Sequence, residues 1–348
     1  RGWPALLITL AMFAAGIYSF APRPDPVFPP TEIQPNQLMT NSIDKQGKRY
    51  IAAGELGKIL IADNPKGPWR VAKVEPQRGA TLTAIRFVDK DVAIAVGHSG
   101  WIVRSEDAGE TWRELQFNEE SSDPLLGIGG PFKGVAKGKL FAFGSFGQYL
   151  TSSDGGKSWN KEELNIVEPE PEPEPEAEVA EGEDAATEVA DAAEDAADDA
   201  EEFDPFAGGD DEEDEDYDPF ADFMAGGGAA DVGNKHMYAM TQAADGSLYL
   251  VGEKGLAVRS TDAGASWVSG EEFYNGSLYG ALSLGRHGML VYGMRGNAFV
   301  TTDNGQTWTQ SDIPLEQGLY GGAKSYGGTV VLVGASNTIL ISKDNGLT

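Results

Sequence analysis

The chain has 348 residues, no cysteine and a net charge of −29, with 55 acidic side chains against 26 Lys and Arg. The missing cysteine excludes a disulfide framework and a thiol nucleophile, and the lack of a basic stripe argues against nucleic acid as a partner. The acidity is local: residues 167–233 hold 28 Asp or Glu and no Lys, Arg or His, so the rest carries 55 − 28 = 27 acids against 26 bases.

Residues 3–22, WPALLITLAMFAAGIYSFAP, are uncharged and bounded by Arg1 and Arg23. About 20 apolar residues suit one membrane crossing, so the expectation is a transmembrane anchor over 1–22 rather than a cleaved signal. It implies a single-pass protein of the inner (cytoplasmic) membrane, with the remainder on the periplasmic side. Residues 23–37 are proline-rich and read as a stiff tether.

From residue 38 the chain repeats itself. RSEDAGETW at 104–112 returns as TSSDGGKSW at 151–159, RSTDAGASW at 259–267 and TTDNGQTW at 301–308, and SKDNGLT closes the series at 342–348. The motif glycine recurs every 41 to 47 residues, from Gly109 to Gly156 and from Gly264 through Gly305 to Gly346. A worn copy, ADNPKGPW, keeps Asp63, Gly67 and Trp69. Only the step of 108 residues from Gly156 to Gly264 breaks the rhythm, which places an insertion there.

Each unit shows four short runs of β-branched and aromatic residues separated by Gly and Asp turns, an antiparallel meander. The turn between the second and third runs reads ELG, HSG, SFG, EKG, MRG and finally Ser336 with Asn337. Glycine supplies a positive φ there, and Asn tolerates it next best. The expected fold is an all-β propeller of four-stranded blades, with six visible and a seventh allowed. Blades 1–3 span 38–166, and blades 4–6 span 234–348. In the third turn, Asp107, Asp154, Asp262, Asp303 and Asp344 are expected to accept backbone N–H bonds. Gly109, Gly156, Gly264, Gly305 and Gly346 take the strained backbone geometry, and Trp112, Trp159, Trp267 and Trp308 pack over the hairpin. These aspartates are read as structural, with no catalytic, metal or cofactor site among them. His98, His236 and His287 lack ligand spacing.

The insertion over 167–233 opens with EPEPEPEPE, an extended spacer, and continues through an alanine-rich acidic run. It ends in a segment where DPFA occurs twice, at 204–207 and 218–221. Phe206 and Phe220 stand out there as aromatic anchors for a partner. Strand alternation puts the exit of the insertion on the face opposite the Asp turns, beside His98, Phe146, Lys254 and Arg295. Lys254 and Arg295 are the partner-binding cations expected on that face.

The repeated Asp motif is the Asp-box, or BNR, repeat. Together with the period and the strand ends AVGHSG, LVGEKG and LVGASN, it resembles the photosystem II stability and assembly factor-like propellers. That resemblance implies a non-catalytic propeller that helps assemble membrane protein complexes. The lipobox cysteine of photosynthetic members is absent. The resemblance therefore points to the bacterial branch linked with transporters of the resistance–nodulation–division (RND) superfamily, ahead of a photosynthetic complex. Family arginines suited to acidic partners are matched by Arg104 and Arg259, but Leu150 and Val300 occupy the same place in blades 3 and 5. The rival reading is a sialidase-like glycoside hydrolase, which needs three arginines, a Tyr nucleophile backed by Glu, and a proton donor. The early Arg-Ile-Pro signature is missing, GPWR stands in the first blade, and EEFY at 271–274 is ordinary strand sequence.

Overall fold

The computed structural model describes residues 3–20, 35–167, 234–270, 272–285 and 287–348. It divides into a unit over Arg1–Met39 and a larger one over Thr40–Thr348. Residues 23–34 of the tether expected over 23–37, the acidic segment over 168–233 and the anchors Phe206 and Phe220 lie outside the described residues.

The first unit holds one α-helix, α1 (Trp3–Phe20), of 18 residues. Among the described residues no helix is long and apolar enough to cross a membrane. The expected anchor is thereby corrected: 18 residues at 1.5 Å each make about 27 Å, short of a hydrocarbon core of roughly 30 Å. The single-pass inner-membrane placement, with a periplasmic propeller, falls with it.

The second unit is a six-bladed propeller. Blade 1 contains β1 (Thr40–Gln46), β2 (Arg49–Gly54), β3 (Ile59–Ala62) and β4 (Arg70–Val71). A short strand, β5 (Lys73–Glu75), then leads to blade 2: β6 (Leu82–Phe87), β7 (Ala93–Gly97), β8 (Ile102–Ser105) and β9 (Thr111–Gln116). Blade 3 is β10 (Leu125–Gly129), β11 (Leu140–Gly144), β12 (Tyr149–Ser152) and β13 (Asn160–Glu162), followed by β14 (Ile166–Val167). Blade 4 is β15 (Met237–Gln242), β16 (Leu248–Gly252), β17 (Ala257–Ser260) and β18 (Trp267–Ser269). Blade 5 is β19 (Leu278–Ser283), β20 (Met289–Gly293), β21 (Ala298–Thr301) and β22 (Thr309–Gln310). Blade 6 has β23 (Leu319–Lys324), β24 (Val330–Gly334) and β25 (Ile339–Ser342).

Strands within a blade pair antiparallel with their sequence neighbours. The second turn of every blade places two successive residues at positive φ. They are Leu56 and Gly57, Ser99 and Gly100, Phe146 and Gly147, Lys254 and Gly255, Arg295 and Gly296, and Ser336 and Asn337. Two left-handed residues in succession match the twist of the strands they join. The sequence reading put the positive φ on the glycine; the residue before it shares that conformation.

The valine–glycine strand ends have a separate cause. The first strand of each blade slips register after its first residue, as between Leu82 and Ala84 or Leu278 and Gly280, and this bulge faces the glycine. A Cβ on Gly97 would lie 2.2 Å from the Thr81 carbonyl oxygen, and one on Gly293 would lie 2.0 Å from that of Ser277. Only a residue without a side chain admits so close a backbone approach.

Two blades carry a fifth strand. β5 pairs parallel with β9, and β14 pairs parallel with β18. The chain therefore reaches the outer edge of the next blade before crossing to its innermost strand. The insertion follows β14, so both its ends belong to blade 4: the outer edge at Val167 and the inner edge at β15. The attachment is within blade 4, not between blades 3 and 4: β14 runs along β18 and β15 starts on the face opposite the Asp-boxes.

Blade 6 also differs on its far side. Leu290, Tyr292, Ala298 and Val300 of blade 5 are buried in a core shared with Leu319, Val330 and Leu332 of blade 6. The matching blade 6 positions are more open: Val333 is 43% exposed, Ile339 66% and Ile341 65%.

Candidate functional site

Each Asp-box closes on one lattice of hydrogen bonds. In blade 2 the Thr111 N–H and hydroxyl donate to Asp107 at 2.9 and 2.6 Å, and the Ser105 hydroxyl donates at 2.8 Å. The Gly109 N–H in turn donates to Ser105 Oγ at 2.9 Å. Asp154 holds Ser158, Asp262 holds Ser266, Asp303 holds Thr307 and Asp344 holds Thr348 in the same way. Burial tends to raise the Asp303 carboxyl, but the Thr301 and Thr307 hydroxyls and nearby backbone N–H groups outweigh it and bring it down to about 2. Asp154 is held low mainly by the Ser158 hydroxyl and N–H.

The motif glycines do more than turn. A Cβ on Gly109 would meet Ile51 of blade 1 at 2.8 Å, and one on Gly156 would meet Ile94 of blade 2 at 2.1 Å. On Gly264 it would meet Phe141 of blade 3 at 2.8 Å, and on Gly346 Leu290 of blade 5 at 3.0 Å. Trp112 is buried in a core that includes Ile51 and Ile61 of blade 1, and Trp267 in one with Phe141 and Tyr149 of blade 3. The box is a wedge against the preceding blade, not only a lid over its own hairpin. Trp159 and Trp308 sit half-buried in the same role. The worn box of blade 1 has lost the lattice; Asp63 instead pairs with Arg49 at 2.9 Å.

Cations on the Asp-box side are engaged. Arg104 is buried, pairs with Glu106 and donates its Nε to Gly155 O at 3.1 Å. Arg259 pairs with Asp245 at 3.0 Å. Arg49 and Arg70 converge on Glu110, whose carboxyl their hydrogen bonds, Arg70's first, lower to about 2. Carboxylates with shifted ionisation among the described residues, Asp245 and Asp262 included, are shifted downward. His287 hydrogen-bonds Asn304 at 3.2 Å, also at the Asp-box end of its blade.

The opposite face has a different character. There the first strands lie side by side around the axis, in the order of their blades. Their second residues are Asn41, Thr83, Leu126, Tyr238, Tyr279 and Tyr320. Asn41 and Thr83 donate to carbonyls of the next blade, Leu82 O and Leu125 O. From blade 4 onward this polar stitching gives way to aromatic contact. Tyr238 and Tyr279 have ring centroids 5.3 Å apart, and Tyr279 and Tyr320 5.2 Å. His236 extends the row, 6.3 Å from Tyr238 and 5.0 Å from Phe146. Burial raises the Tyr238 and Tyr279 hydroxyls, which keeps both neutral donors. Lys254 and Arg295 stand exposed in the second turns of blades 4 and 5, and His98 lies on the same face in blade 2. The sequence reading missed the tyrosines, although a 41-residue spacing from 238 to 279 to 320 marks them.

The BNR/Asp-box repeat family matches residues 299–310, the box of blade 5. With the same lattice at five boxes, the assignment is decided. The chain is an Asp-box β-propeller. Solved structures similar to this propeller include YCF48 bound to D1 peptide, at 15% identity and TM-score 0.54, covering 89% of this chain and 81% of that one. YCF48 from Cyanidioschyzon merolae follows at 12% identity and TM-score 0.58, covering 91% and 85%. The propeller also resembles a GH74 xyloglucanase from Xanthomonas campestris, at 12% identity and TM-score 0.56, covering 89% of this chain and 44% of that one. At such identities the likeness is one of fold. No curated protein matches the sequence.

Proposed function

We propose that this propeller is a non-catalytic docking module that binds segments of partner proteins and serves as an assembly or accessory subunit of an integral membrane complex. The observation that carries the reading is the aromatic row of Phe146, His236, Tyr238, Tyr279 and Tyr320, flanked by Lys254 and Arg295. Tyrosine offers large, rigid contact area with a polar tip, the chemistry of protein recognition. The likeness to YCF48 bound to a D1 peptide supports the same reading. On the family resemblance, RND-type transporters are the partner class to test first. The hydrolase alternative, whose fold a GH74 xyloglucanase shares, would have to draw its carboxylates from outside the Asp-boxes, where they are committed to closing turns.

The test is affinity purification of the full chain from gently solubilised membranes, followed by mass spectrometry. A stoichiometric polytopic protein, lost on Tyr279→Ala with Tyr320→Ser, is the expected result. Recovery of the propeller alone, or turnover of a glycan by the purified chain, overturns the proposal.

A further inference from the structure

We propose that the aromatic row is the docking site of this chain's own 204–223 segment, with Phe206 and Phe220 as the rings that pack onto it. The inference rests on reading that row as a protein-docking face and names its first occupant. Tyr320 is 61% exposed and Phe146 55%, so the row presents ring surface to solvent on both flanks.

The strands on either side of 168–233 relate it to this face: β14 runs toward it and β15 starts from it. At the outer edge of blade 4, Val167 pairs with Val268, itself opposite Arg259, and the chain there is directed along β18 toward this face. At the inner edge the Gly147 N–H donates to Lys235 O at 3.0 Å, which sets the returning chain against the Phe146 turn. The next residue is His236, itself a member of the row. The segment is acidic throughout, yet it concentrates Phe203, Phe206, Tyr217, Phe220 and Phe223 within 21 residues.

Reach agrees with this. Phe220 precedes Asn234 by 14 residues, and a flexible chain of that length spans on the order of 20 Å. From His236 to Tyr320 the row extends at most about 17 Å along its centroids. A tether that matches its span gives millimolar effective concentration, so a contact with a Kd of about 1 mM is already half formed. Charge sets the direction. Glu253 faces His236 at 3.8 Å and repels carboxylates at the start of the row. Lys254 and Arg295, for which the described residues show no ion pair, draw them past it.

The experiment places a photoreactive benzoyl-phenylalanine at 206, at 220 or, as a control, at Ala193 in the full chain, irradiates it in dilute solution and maps the adducts. Adducts at monomer mass on peptides containing Tyr238, Tyr279 or Tyr320 are expected, enriched about threefold or more over Ala193, which hangs on a tether of similar length to Phe206 and so shares its local concentration without its ring. Tyr320→Ser, which gives up one aromatic contact with Tyr279, should remove adducts from 319–324 while the chain stays folded. Equal yields at all three positions, adducts elsewhere on the propeller, or adducts only at dimer mass overturn the proposal. Partner recovery from membranes is read separately. Mapped adducts without a partner sink the proposed function alone, and a partner without adducts sinks this inference alone.

Discussion

Two adjacent glycines in the blade 3 box separate backbone strain from interblade packing. Gly155 has φ 74° and Gly156 has φ 78°, so alanine at either position pays a left-handed penalty. That penalty is about 1–2 kcal/mol, offset by roughly 0.4–1 kcal/mol from a stiffer unfolded chain. They differ in surroundings: a Cβ on Gly155 meets nothing within 4 Å, whereas one on Gly156 lies 2.1 Å from Ile94 Cδ1 and 3.2 Å from Cγ1. Blades 2 and 4 already carry Ala108 and Ala263 at the position of Gly155. Gly155→Ala should therefore cost between nothing and about 1.6 kcal/mol, while Gly156→Ala adds an overpacking cost of about 1–3 kcal/mol. At 2–4 °C per kcal/mol for a domain of this size, the two should differ by roughly 2–12 °C in melting temperature. Urea or thermal unfolding followed by tryptophan fluorescence reads this directly. Equal losses at both positions would refute the wedge, leaving the motif glycine a matter of backbone conformation alone.

Replacing 168–236 by the natural link of blade 2, residues 76–81, should leave the fold intact. Crossing four strand spacings needs about 19 Å, and six residues reach about 20 Å. The shorter loop should add up to about 2 kcal/mol by closure entropy, so a lower melting temperature would show that the insertion supports the propeller. Trp112→Ala, at a position 2% exposed, should cost about 3–5 kcal/mol, and a cost below 1 kcal/mol by urea titration would contradict its place between blades. Asp303 titrates near 2 in the folded chain against about 3.9 unfolded, so as pH falls the unfolded state takes up the proton first. Its contribution is whole above about pH 4 and vanishes by about pH 2; Asp303→Asn should flatten that limb of the stability curve.

Blade number and strand order were legible because each depends on local chemistry that repeats. Gly and Asp mark turns, and a period is visible without knowing any contact. Three features were not legible. The partnership of Gly156 with Ile94 joins residues 62 apart, and nothing in either short run announces the other. β5 and β14 are only three and two residues long, below what alternation can reveal, so the insertion seemed to lie between blades. The tyrosine row hid in plain view: one Tyr in a β strand is ordinary, and only alignment of the first strands shows it three times. At the N-terminus, an uncharged run invited a membrane reading that the helix is too short to satisfy.

The attachment of the acidic segment also fixes how the molecule would answer a mechanical load. Tension applied through 168–233 meets two unlike moorings. The inner one runs into β15, a central strand hydrogen-bonded along its length to β16. At the outer one, two register pairs hold β14 to β18, Ile166 with Trp267 and Val167 with Val268. The outer mooring should yield first, peeling 163–167 away and paying out roughly 16 Å of chain at about 3.3 Å per residue. Blade 4 would keep its four antiparallel strands throughout, a slip length between a moving partner and a propeller that stays folded.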